Sequence, residues 1–122
     1  MSSVILLVED DEELRHLWEL YLRPLGVAVH HARDGLEALY QAQAHHPDLI
    51  VLDLMMPTAS GDLVLGFLRS TEDLKQIPVL VVSAHQNIAS LAQQYDADGY
   101  LQKPVSVEEF RKAVQQMIEI KP

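Results

Sequence analysis

The chain has 122 residues and a mass of 13.7 kDa, and it is 48% apolar and 22% charged, which suits one globular domain and excludes disordered and fibrous classes. A net charge of -9 opposes contact with phosphate backbones, which need Lys and Arg to neutralise them, so direct nucleic-acid binding by this chain is not expected. Cysteine is absent, which removes disulfides, zinc thiolate sites and thiol nucleophiles together.

Met1-Ser2-Ser3 leads directly into an apolar run, Val4 to Val8, and the first basic residue is Arg15, so a secretory leader with its positive start is not expected. No apolar run nears the roughly 18 residues that span a bilayer, and the chain is expected to be soluble and cytoplasmic. Val4–Val8 lacks polar alternation and is rich in Val, Ile and Leu, as are Leu49–Leu52 and Val79–Val82. Strands covered on both faces have this pattern, which favours a parallel sheet. Weaker strands are expected at Val27–His31 and Gly99–Leu101.

Helical spacing fills the gaps. Leu14, Leu17, Trp18, Tyr21, Leu22 and Leu25 recur at steps of three and four, and Pro24 and Gly26 end the segment. Asp34 with Glu37 has capping-box spacing and opens a helix through Leu36, Leu39 and Tyr40. Leu63, Val64, Phe67 and Leu68 form a third stripe, and Ile88, Leu91 and Ala92 a shorter fourth. Ser106 with Glu109 repeats the capping box before Phe110, Val114, Met117 and Ile118. The order βαβαβαβαβα predicts a single α/β domain over residues 1–122: a doubly wound, five-stranded parallel sheet with right-handed crossovers and helices on both faces.

In such a sheet the carboxyl ends of the strands form one crevice, where ligands bind. Glu9, Asp10, Asp53, Ser83 and Lys103 all converge there. Three carboxylates so placed repel one another, at about 4 kcal/mol for a pair 4 Å apart in an effective dielectric of 20. Mg²⁺ suits an all-oxygen site of this kind, and with Lys103 it would bring the formal charge of the three acids to zero. A solvated strand end with one acid titrating high fits the spacing equally well. The adjacent pairs His30-His31 and His45-His46 do not suit chelation, since strand neighbours point to opposite faces. Asp96-Ala97-Asp98-Gly99 lacks the later ligands of a calcium loop.

Val8-Glu9-Asp10-Asp11, Leu52-Asp53-Leu54-Met55-Met56-Pro57 with Gly61, Val82-Ser83-Ala84 and Gly99-Tyr100-Leu101-Gln102-Lys103-Pro104 together resemble the receiver domain of bacterial two-component response regulators. The resemblance spans essentially the whole chain and implies the flavodoxin-like strand order 2-1-3-4-5. It implies that Asp53 accepts a phosphoryl group from a histidine kinase or histidine phosphotransfer protein, with Mg²⁺ held by Glu9, Asp10, Asp53 and the backbone carbonyl of Met55. Lys103 would pair with the phosphate or the free Asp53, Ser83 would follow the phosphate, and Tyr100 would swing inward as the loop after Ser83 moves. Pro104 would follow a cis bond. The face made by the fourth helix, fifth strand and fifth helix would be the one for a homodimer.

Several positions depart from that pattern. The stretch from Ser83 to Lys103 is short, so a trimmed fourth helix is expected; Val105 stands where an aromatic is common, and Asp96 where a small residue often closes the fourth helix. Asp11 suits either a third acidic role or the cap of the first helix. Two other functions compete with a phosphorylation-controlled switch. A Mg²⁺-dependent aspartyl-phosphate phosphatase usually has an acid two residues after the nucleophile, where Met55 stands, and a phosphate-independent pseudo-receiver scaffold has no need of the charge cluster.

Overall fold

Uninterrupted apolar strands can be satisfied only in the middle of a layered fold, and here they lie side by side with helices on both faces. β1 (Val4–Val8), β2 (Ala28–Ala32), β3 (Leu49–Asp53), β4 (Val79–Ser83) and β5 (Gly99–Gln102) alternate with α1 (Glu12–Leu22), α2 (Gly35–His45), α3 (Gly61–Ser70), α4 (Ile88–Gln94) and α5 (Val107–Glu119). The computed structural model describes residues 3–56 and 61–119; Pro57 of the third-strand motif and the terminal Ile120, Lys121 and Pro122 lie outside them.

All strands pair in parallel in the order β2-β1-β3-β4-β5, as expected. Because side chains alternate along a strand, each splits its residues between two cores. Leu6, Val8, Ile50, Leu52, Val79 and Val81 face α2, α3 and α4; Ile5, Leu7, Leu49, Val51, Leu80 and Val82 face α1 and α5. On the second side Trp18 stacks on Phe110 with ring centroids 5.5 Å apart, tying α1 to α5.

Helix starts follow the sequence closely. Asp11 caps α1, accepting from the backbone N–H of Glu13 and Leu14, which settles its role. Ser106 and Glu109 form a reciprocal capping box at 3.1 and 3.2 Å. At α2, Asp34 accepts from the Glu37 N–H at 2.8 Å, but the Glu37 carboxylate reaches back to the N–H of Arg33. α4 has only 7 residues, matching the short stretch, and Asp96 follows it at φ 61, a left-handed conformation that Asp tolerates better than most residues.

Three expectations need correction. β2 begins one residue later than expected, because Gly26 turns the chain at φ 69 and Ala28 is the first residue to pair with β1. β5 runs one residue further, through Gln102, which pairs with Ser83. The stripes of two helices are also out of phase. α2 buries Gly35, Ala38 and Ala42 while Leu36 and Tyr40 are 68% and 72% exposed. α3 buries Gly61, Val64, Leu65 and Leu68, leaving Leu63 and Phe67 outward. Small side chains let the α2 backbone approach the sheet closely, so bulk is a poor guide to which face turns inward.

Candidate functional site

The carboxyl ends of β1, β3 and β5 deliver the charged groups to one crevice. Glu9 follows directly on β1 and is 1% exposed, Asp53 closes β3 at 3% exposed, and Asp10 is exposed at the rim. One carboxylate oxygen from each lies within 4.8 Å of the others. The Lys103 ammonium sits between the two buried acids, 2.9 Å from Glu9 Oε1 and 3.3 Å from Asp53 Oδ2. The sequence-predicted residues Glu9, Asp10, Asp53 and Lys103 are therefore brought together.

The backbone fixes each of them. Asp53 Oδ1 accepts from the Met55 N–H at 3.0 Å, and the Met55 side chain is exposed. Glu9 Oε2 accepts from the Asp11 N–H at 3.1 Å. Lys103 N–H donates to the Ser83 carbonyl at 2.9 Å, and the Lys103-Pro104 bond is cis, as expected. The first residue of α3 rests on the β3 end: a Cβ at Gly61 would lie 2.5 Å from both the Asp53 carbonyl oxygen and the Leu54 Cα. Only glycine allows that approach.

Burial drives the Glu9 carboxyl up from 4.5 to about 7; the hydrogen bonds from Lys103 and Asp11 oppose the shift, while the Asp10 side chain and the Asp53 charge add to it. For Lys103, burial works against its charge, but the hydrogen bond to Glu9 and the charges of Asp53 and Glu9 outweigh it and hold its ammonium above the usual lysine value. One lysine thus leaves an acid unrelieved. The donor set is all oxygen, crowded and short of positive charge, which fits a hard divalent cation such as Mg²⁺ and offers nothing to a thiophilic metal.

Ser83 is fully buried at the end of β4, its Oγ accepting from the His85 N–H at 3.1 Å. Tyr100, on β5, is 49% exposed, so in this structure its ring is not inside the molecule. Trp18, read from the sequence as core, also belongs to the site: Lys103 Nζ lies 5.8 Å from its ring centroid. His31 faces Arg15 and Glu19 of α1, while His30 stacks on His45 of α2 at 3.8 Å, so the adjacent histidines do point apart. No sequence signal pairs Arg15 with His31 or His30 with His45, because each contact depends on the register of β2.

The family model for the response regulator receiver domain matches residues 5–115. The polar-differentiation response regulator DivK of Brucella ovis is 34% identical over 116 residues, covering 93% of this chain and 94% of that protein. A putative response regulator from Chloroflexus aurantiacus superimposes with a TM-score of 0.91 at 28% identity, covering 98% of this chain and 99% of that one. The receiver domain of a sensor histidine kinase from Pseudomonas aeruginosa, with a magnesium ion coordinated in its active site cleft, has a TM-score of 0.88 and 28% identity over 98% of this chain and 99% of that one.

Proposed function

The chain belongs to the response regulator receiver domain family, and from that premise we propose that it is a phosphorylation-controlled switch in which Asp53 takes a phosphoryl group from a phosphohistidine on a histidine kinase or histidine phosphotransfer protein. The observation that carries this reading is the asymmetric Asp53 carboxylate. Oδ1 is held by the Met55 N–H at 3.0 Å, while Oδ2 faces the Lys103 ammonium at 3.3 Å in the same crevice as two further acids.

Asp53 Oδ2 attacks phosphorus as the phosphorus–nitrogen bond to the donor imidazole breaks, leaving an aspartyl phosphate and a neutral imidazole after proton uptake from solvent. Lys103 passes from the free carboxylate to a phosphoryl oxygen as a compact point charge. Glu9, Asp10, Asp53 and the Met55 carbonyl would hold Mg²⁺, which when bound neutralises charge on the transferring group. The Ser83 hydroxyl donates to the new phosphoryl oxygen, giving up its place under the His85 N–H, and Tyr100 moves inward as that loop shifts. The comparison with a magnesium-bound relative supports the metal assignment.

The role is regulatory: the chain acts on its own phosphorylation and passes the change to partners. Its place is the cytoplasm; no helix among the described residues is long and apolar enough to cross a membrane. The face of α4, β5 and α5 is the surface for a homodimer, and nucleic acid is not a direct ligand, given the net charge of -9. Intact mass after incubation with Mg²⁺ and a small-molecule phosphodonor tests the reading. A Mg²⁺-dependent gain of one phosphoryl group in the wild type and none in Asp53→Asn is expected; labelling that persists in Asp53→Asn overturns the assignment.

A further inference from the structure

We propose that Arg15 is a positioning residue for the acidic crevice, setting the Glu9-Asp10 peptide through a guanidinium fork whose second arm is locked by His31 and Glu19. The inference rests on the metal-assisted reading above and adds to it residues outside the crevice.

Arg15 lies on the face of α1 that looks toward β2. Its Nη1 donates to the Glu9 carbonyl oxygen at 2.7 Å, and its Nε donates to His31 Nδ1 at 3.1 Å. His31 Nε2 in turn lies 2.7 Å from Glu19 Oε1, one turn further along the same helix. A donor at Nδ1 requires that nitrogen to be bare, so the ring proton sits on Nε2 and is donated to Glu19. Donation therefore runs outward from Arg15 on both sides, to the Glu9 carbonyl on one and through His31 to Glu19 on the other, across α1, β2 and the end of β1.

The group it holds is the peptide plane between the two acids at the end of β1. The Glu9 N–H donates to the Ala32 carbonyl at 3.1 Å, and the Asp11 N–H donates to Glu9 Oε2 at 3.1 Å. With the Glu9 carbonyl fixed by Arg15, the backbone on both sides of Asp10 is pinned. Asp10 is exposed, so its carboxylate is aimed by this backbone rather than by packing. Groups that orient metal ligands from behind commonly matter about 10- to 100-fold for metal affinity. A lysine in place of Arg15 keeps the charge but supplies no fork, so position and charge are separable.

The test uses the full chain stripped of metal. Mg²⁺ affinity is measured by calorimetry for wild type, Arg15→Ala, Arg15→Lys and His31→Phe, beside urea denaturation of each. The ¹⁵N imidazole shifts of His31 are recorded without metal. Arg15→Ala should weaken Mg²⁺ binding roughly 10-fold or more, Arg15→Lys should recover only a minor part, and His31→Phe should weaken it although the ring touches none of the crevice acids Glu9, Asp10 and Asp53. The wild-type His31 spectrum should show one tautomer with a bare Nδ1, lost in Arg15→Ala. Should Arg15→Ala not fold, the Lys and Phe variants carry the comparison. Unchanged Mg²⁺ affinity in the variants of a wild type that binds it overturns the positioning role alone, as does full recovery in Arg15→Lys. A wild type that takes up no Mg²⁺ overturns the metal-assisted function and the positioning role with it.

Discussion

Glu9→Gln should stabilise the metal-free protein at alkaline pH and leave it little changed in acid. Glu9 is 1% exposed and its carboxyl is raised from 4.5 to about 7, chiefly by burial. A carboxyl raised on folding binds a proton in the native state that the unfolded chain has already released. Stability from this group is therefore fully present below pH 4.5 and is lost as pH rises through about 7. At about 1.4 kcal/mol per pH unit the full loss is about 3 kcal/mol. Histidines titrate in the same window, so the quantity to follow is the difference between wild type and Glu9→Gln at each pH, from urea denaturation in chelator. That difference should grow from near zero at pH 4.5 toward about 3 kcal/mol at pH 8, a figure that already includes the opposing Glu9–Lys103 contact. Saturating Mg²⁺, which prefers the ionised acid, should reverse the trend. Parallel pH profiles for the two proteins would refute the claim that a buried, incompletely compensated carboxylate sits at the end of β1.

Lys103→Ala removes the hydrogen bond that opposes the rise at Glu9, so the Glu9 carboxyl should titrate above about 7 by carboxyl NMR; a value at or below the wild type's contradicts the geometry. In the phosphorylated Lys103→Ala chain, Ser83 and Tyr100 resonances should stay where they are in the unmodified one. Gly61→Ala places a Cβ 2.5 Å from backbone atoms of Asp53 and Leu54, which cannot yield as a flexible side chain does; a loss of about 3 kcal/mol in urea denaturation is expected, and a neutral effect would refute the close approach. His30 is held below its usual value by burial first and then by the charges of His45 and His31. Its share of stability is therefore present above pH 6.5 and lost as pH falls, and His45→Ala should raise the His30 titration midpoint followed by NMR.

The strands were legible because β1, β3 and β4 are covered on both faces and so cannot disguise their apolar runs as anything else. The acids were legible for a related reason, since they stand at the ends of such runs, whereas Lys103 follows the weaker, half-buried β5 and was legible through the Lys103-Pro104 motif. Helix faces were harder. In α2 the inward residues are Gly35, Ala38 and Ala42, and the larger Leu36 and Tyr40 drew the expected stripe toward solvent. Periodicity reports where bulk lies, whereas contact with a sheet also rewards residues small enough to let a helix come close. The fork at Arg15 was beyond reach for another reason. It joins α1 to β2 through His31 and then to the Glu9 carbonyl, a main-chain atom present in every residue and invisible in any pattern of side chains.

Lys103 and Glu9 meet across 94 residues of chain, and the strand that delivers the lysine is the last to emerge. Until β5 docks, the ends of β1 and β3 carry acids without the Lys103 ammonium that lies between them in the finished crevice. A chain cut short after β4, or one whose final strand has frayed, keeps Asp53 but lacks the ammonium that, on the proposed reading, would meet a phosphoryl oxygen. On the proposed reading, the coupling of a label on Asp53 to the switch is thus a property of the completed molecule, and an incomplete copy would lack that response by the same topology that builds the site.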